Sequence, residues 1–145
     1  MSSITGKTAL VSGGGSGIGL AIAERLAADG AQVAICGRTE DKLVGAVEKI
    51  TPSVGDGGSI RHVVADVTVE DQIAAAVGFA AEPGGGLDIL VANAGGSLHM
   101  GAMEEFDAEA VRGTIDLNLM GTMLSVKHAI PLMRGRHDAG SVIAI

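Results

Sequence analysis

Tyrosine and tryptophan are absent from this chain, phenylalanine occurs only at Phe79 and Phe106, and cysteine occurs only at Cys36. Without tyrosine, no mechanism that needs a phenol can run on this chain alone. A single cysteine can form neither an internal disulfide nor a thiolate metal cluster, which fits a reducing compartment. Basic residues are also scarce: 10 Lys and Arg against 17 Asp and Glu give a net charge of -7, with no basic block. Nucleic acid is therefore not an expected partner. No apolar run approaches the ~20 residues of a spanning helix, and the opening MSSITGKTAL lacks the apolar segment of a signal peptide. No membrane partner is expected, and the expected compartment is the cytoplasm.

Glycine is what the chain has in excess, 23 of 145 residues, about twice the usual ~7% and without a collagen-like period. That much glycine implies many tight turns, or a backbone pressed close to a ligand. With 47% hydrophobic and 19% charged residues, the chain falls outside the disordered class. Its length suits one domain, 1–145, able to bury roughly two-thirds of the surface it exposes unfolded.

Short apolar runs alternate with helix-period segments. Thr8–Ser12 reads as a buried strand stopped by three glycines. From Gly17 to about Asp29, Ile18, Ala21, Ile22 and Leu26 follow helical spacing, and Gly30 stands where a helix-ending glycine belongs. Strands are expected at Gln32–Cys36, Ser59–Ala65, Asp88–Ala92 and from Gly140 onward. Helices are expected at Glu40–Ile50, at Val69–Ala81 with Thr68 as N-cap and Asp71 as its partner, and from about Asp107 to Met133. The last should bend at Asn118 and kink or stop at Pro131. Alternation of this kind, with strands apolar on both faces, indicates an α/β doubly wound parallel sheet of Rossmann type in the order 3-2-1-4-5, the chain ending within strand 5. Ligands of such sheets bind where the order reverses, at the carboxyl ends of strands 1 and 4. The two most glycine-rich loops follow those two strands.

Between strand 1 and the first helix runs Ser12-Gly13-Gly14-Gly15-Ser16-Gly17-Ile18-Gly19. Glycines there let a ligand meet the backbone, and the helix start offers free N–H groups and a positive dipole end, a fit for a pyrophosphate. The alternative is a glycine turn without a ligand. After strand 2 stand Gly37 and Arg38, where many dinucleotide folds carry an acid for the ribose 2′-hydroxyl. A guanidinium there suits a 2′-phosphate, unless Arg38 only pairs with Glu40 or Asp41. The four histidines, at 62, 99, 128 and 137, form no ligand spacing, and no metal site is expected. Cys36 reads as a small buried hydrophobe.

With these residues in view the chain resembles the N-terminal, cofactor-binding part of the short-chain dehydrogenase/reductase family. Ser12-Gly13 to Gly17-Ile18-Gly19 resembles that family's T-G-x-x-x-G-I-G, with Ser for Thr. Asp66-Val67 matches its acidic residue beside the adenine ring, Ala92-Asn93-Ala94-Gly95 resembles its N-N-A-G, and Asn118 matches the Asn of its catalytic tetrad. The resemblance implies cofactor contacts from Ser12, Gly13, Gly15, Ser16, Gly17, Ile18, Gly19, Arg38, Asp66, Val67, Asn93, Ala94 and Gly95, and a catalytic role for Asn118. Plainer roles stay open: Asp66 as a loop carboxylate, Asn93 as a tie between strands, Asn118 as a helix-kink residue.

The resemblance also implies NADP(H), favoured through Arg38, with NAD(H) possible because Ser16 replaces the family's other basic residue. The implied chemistry is hydride transfer with a small alcohol or carbonyl substrate. The family's serine, tyrosine and lysine are expected beyond Ile145, so the chain alone is expected to be inactive. The alternative is a non-catalytic nucleotide-binding or assembly module. Apolar residues crowd 117–133, and strand 5 would be a sheet edge, so a homo-oligomer is expected.

Overall fold

The computed structural model describes residues 4–136 and 140–145; His137 lies outside the described residues. Five strands form one parallel sheet in the order β3-β2-β1-β4-β5. They are β1 (Thr8–Ser12), β2 (Gln32–Gly37), β3 (Ser59–Val64), β4 (Ile89–Ala92) and β5 (Ser141–Ala144). Register runs Thr8 to Gln32 through Ser12 to Cys36 between β1 and β2, and Ala9 to Ile89 through Val11 to Val91 between β1 and β4.

Alternation along each strand splits the core in two. Leu10, Ala34, Cys36 and Leu90 face α3 (Glu70–Ala81) and α5 (Gly121–Met133). Ala9, Val11, Val33, Ile35 and Val91 face α1 (Gly17–Ala28) and α2 (Glu40–Ile50). Both faces of the central strands are thus covered, which is why their sequences are apolar without a polar alternate. Burial of Cys36 pushes its thiol up to about 12, so it stays protonated.

In α1 the buried face differs from the expected stripe. Gly19, Ala23 and Ala27 are the buried positions, whereas Ile18 is 62% exposed and Ile22 and Leu26 only flank the core. The reason is close approach: a Cβ on Gly19 would stand 2.4 Å from the Gly13 carbonyl oxygen, so only small residues let α1 sit this near the turn. The helix ends as expected, with Gly30 at φ 90 and its N–H donated to the Ala27 carbonyl.

α3 begins at Glu70, with Val69 in the cap position, not Thr68. Thr68 is engaged elsewhere: its N–H and hydroxyl both donate to Asp66 Oδ1, at 2.9 and 2.8 Å. The expected Thr68–Asp71 box is therefore not formed. Glu70 instead accepts from Lys127 and His128 of α5, tying the two helices together.

The long C-terminal helical stretch divides into α4 (Ala108–Ile115), one π turn (Asp116–Met120) and α5. The π turn includes Asn118, the position of the expected bend. Pro131 sits in the last turn of α5, which ends two residues later at Met133. There the single missing N–H removes only one bond. Among the described residues no helix is long and apolar enough to cross a membrane.

Candidate functional site

At the carboxyl ends of the strands a cleft opens between the turn after β1 and the ends of β2, β3 and β4. Its floor is set by an inward hydroxyl. Ser12 is 1% exposed, and its Oγ accepts the N–H groups of Asn93 and Ala94, each at 3.0 Å. Asn93 answers by donating Nδ2 to the Ser12 carbonyl at 3.0 Å. These bonds lock the β1 turn to the β4 loop, so the two glycine-rich segments form one surface.

Gly13 and Gly17 hold φ of 68 and 56, a left-handed backbone that glycine adopts without strain. They turn the chain so that α1 starts facing the cleft. Ser16, the cap residue of α1, makes no capping hydrogen bond, and the first turn of the helix contains no acidic residue. The N–H groups of that turn and the helix dipole are therefore available to an anion.

From the other wall come Arg38, Thr39 and Lys42. Among the described residues neither Arg38 nor Lys42 forms an ion pair, so the expected alternative pairing of Arg38 with Glu40 or Asp41 does not occur. Two cations four residues apart thus border one cavity without an internal partner. Asp66 lines the same cleft. Thr68 occupies its Oδ1, and the Asp66 N–H is donated to Gln72 Oε1 at 2.8 Å, which fixes the carboxylate. Its Oδ2 has no partner among the described residues.

Of the residues expected from sequence, Gly13, Gly15, Ser16, Arg38, Asp66, Val67, Ala94 and Gly95 meet in this cleft. Ser12, Asn93 and Gly19 stand behind the wall and shape it, and Gly17 and Ile18 carry the start of α1 beside it. The sequence reading missed Thr39, Lys42, Leu43, Ala65 and Leu117 as wall residues. Lys42 could have been found, because it stands in the first turn of the helix that follows Arg38 directly. Leu117 could not, because it arrives through the π turn.

Asn118 lies outside the cleft wall. Its Oδ1 accepts the Gly96 N–H at 3.1 Å, and its Nδ2 donates to the carbonyls of Gly96 and Thr114, both at 2.7 Å. Its own carbonyl accepts the Thr122 hydroxyl at 2.8 Å. The side chain is fully engaged in fixing backbone. Among the described residues no group of three His, Cys, Asp or Glu side chains could hold a metal ion.

Comparison with known proteins gives one consistent picture. The sequence profile described as short chain dehydrogenase matches residues 7–145. The glucose 1-dehydrogenase of Gluconobacter oxydans is 40% identical over 138 residues, 95% of this chain and 51% of that protein. Among solved structures, a short-chain type dehydrogenase/reductase from Mycobacterium ulcerans superposes with a TM-score of 0.92 at 45% identity, over 99% of this chain and 52% of the other. A short chain dehydrogenase from Burkholderia cenocepacia in complex with NADP gives 0.80 at 35% identity, covering 90% and 52%. An NADH-dependent reductase complexed with NAD gives 0.85 at 28%, covering 97% and 59%. The chain spans about half the length of the curated relatives it matches.

Proposed function

The chain belongs to the short-chain dehydrogenase family, and from that premise we propose that it forms the nicotinamide-dinucleotide-binding part of an oxidoreductase acting on a small alcohol or carbonyl substrate. One observation carries the reading: an uncapped helix start, a fixed carboxylate and two unpaired cations converge on one cleft. The residues fit such a cofactor. Gly13, Gly15 and Ser16 with the first turn of α1 would hold the pyrophosphate. Asp66 Oδ2 would accept from the adenine amino group, beside Val67 and Leu117. Arg38 and Lys42 would take a 2′-phosphate, so NADP(H) is the favoured form and NAD(H) the second. When bound, the cofactor supplies hydride chemistry at its nicotinamide ring.

The chain's own contribution is binding and orientation. Ser12 and Asn93 hold the two loops in register, and Asn118 is a positioning residue for the β4 loop. Asn118 cannot exchange a proton at neutral pH, and the family's tyrosine acid/base has no counterpart here, since this chain contains no tyrosine. The 145 residues alone are therefore expected to show no dehydrogenase turnover. Absorbance at the nicotinamide band with a panel of alcohols and ketones tests that, and turnover surviving repurification would refute it. The proposed setting is the cytoplasm, and the proposed assembly a homo-oligomer. A non-catalytic nucleotide-binding or assembly module is the second reading.

Calorimetric titration tests the cofactor assignment. Arg38→Asp should weaken NADPH binding by about 1–3 kcal/mol, the range of a lost charge-assisted pair, and improve NADH. Equal affinity of the wild type for both would remove the 2′-phosphate role of Arg38.

A further inference from the structure

Asp66 is held by two neighbours, Thr68 in the turn before α3 and Gln72 within that helix. Gln72 Oε1 accepts the Asp66 N–H at 2.8 Å. Thr68 turns both of its donors on one carboxylate oxygen, Oδ1, its N–H at 2.9 Å and its hydroxyl at 2.8 Å. A threonine hydroxyl has one proton to give, so that proton is committed to Asp66. It serves no helix cap, since Val69 holds the cap position of α3. Moving the Asp66 side chain to another rotamer would break both bonds to Thr68 at once.

The place of this carboxylate gives the hold its meaning. Asp66 lines the cleft together with Arg38, Val67 and Leu117. Arg38 and Leu117 also line an adjoining cavity with Thr68, so Thr68 stands at the Arg38 end. Among the described residues no cation pairs with Asp66. With Oδ1 filled, Oδ2 is the oxygen left for a ligand. An ionised carboxylate accepts hydrogen bonds and never donates them. A base that meets it must bring an N–H, and one that brings a carbonyl oxygen is repelled.

We propose that Thr68 sets the purine selectivity of the cleft, acting as a positioning residue through Asp66, so that a 6-amino purine is favoured over a 6-oxo purine. The inference rests on the dinucleotide reading above. Adenine carries an amino group where hypoxanthine carries a carbonyl oxygen, so the deamino forms of NADPH and NADH differ from the parent cofactors at that edge of the base. Thr68→Val keeps the shape and the backbone N–H but removes the hydroxyl; Thr68→Ser keeps both donors. Each variant and the wild type are titrated by calorimetry with whichever reduced dinucleotide the wild type takes, NADPH or NADH, and with its deamino form.

The wild type is expected to hold the amino form about tenfold tighter or more, as a hydrogen bond to a charged acceptor allows. Thr68→Val should cut that ratio about three- to tenfold by weakening the amino form, and Thr68→Ser should keep it. A merely structural hydroxyl would affect both ligands equally and leave the ratio unmoved. A wild type indifferent to the base, a valine variant with the wild-type ratio, or a serine variant as impaired as valine would overturn the proposal. In those cases the dinucleotide reading still stands. A wild type that binds neither form refutes that reading, and this inference with it.

Discussion

Asp88 stands at the start of β4, on the side of the sheet opposite the cleft, and is 4% exposed. The Thr8 N–H donates to its Oδ2 at 2.9 Å, and Arg136 donates Nε and Nη2 to its two oxygens, each at 2.8 Å. Burial alone would raise this carboxyl, but the bonds from Arg136 and Thr8 outweigh it and hold it at about 2, below the ordinary 3.8. A depressed carboxyl stabilises the fold fully above its ordinary value and progressively less as pH falls from there toward about 2. The shift corresponds to about 2 kcal/mol. Asp88→Asn should therefore cost about 3 kcal/mol near pH 7, because it leaves Arg136 without its charge partner. Melting curves at pH 7, 4 and 2.5 check this: the gap between wild type and variant should close with acid, and parallel curves would refute it. Nothing in the sequence announces this clasp, since Thr8, Asp88 and Arg136 share no motif and only the sheet brings them together. The cleft residues were legible for the opposite reason. Gly13, Asp66 and Gly95 each lie at a strand end, where spacing along the chain already marks a turn.

The element most at odds with simple periodicity is the π turn between α4 and α5. A bend at Asn118 was legible, because an asparagine inside a helical pattern competes for backbone partners. Its form was not, because the extra residue in the turn is stabilised by Gly96 and Thr122, contacts that no local pattern encodes. The same turn rotates the helical face, leaving Ile115 at 49%, Leu119 at 55% and Met123 at 56% exposure along one side. On β5, Val142 and Ile143 point to opposite faces and are 44% and 47% exposed. Apolar area of this extent favours association between copies. We expect light scattering at micromolar concentration to report a mass above the 14.4 kDa monomer. Leu119→Glu combined with Met123→Glu should lower that mass if the helical face is the contact. A stable monomer of the wild type would count against both surfaces.

At the scale of the whole molecule the strand order was legible from two physical rules, apolar strands covered on both faces and right-handed crossovers between parallel neighbours. Less legible was how near each helix lies to the sheet. Gly19 and Ala23, not the larger Ile18, Ile22 and Leu26, decide the seating of α1, because proximity is limited by the smallest side chains and periodicity registers the largest. The reversal of strand order at β1 also sets a sequence of assembly. Strands β1 and β2 pair with their successors along the chain, whereas β4 returns to β1, joining Thr8 to Asp88 across 80 positions. Closing that larger loop carries a greater entropic barrier than any earlier step. The wall bearing Arg38 and Asp66 therefore belongs to an early, local folding unit, while the wall bearing Gly95 exists only after late docking of β4. A folding intermediate would hold half a cleft and an open β1 edge, and a ligand bridging both walls would draw the final docking forward.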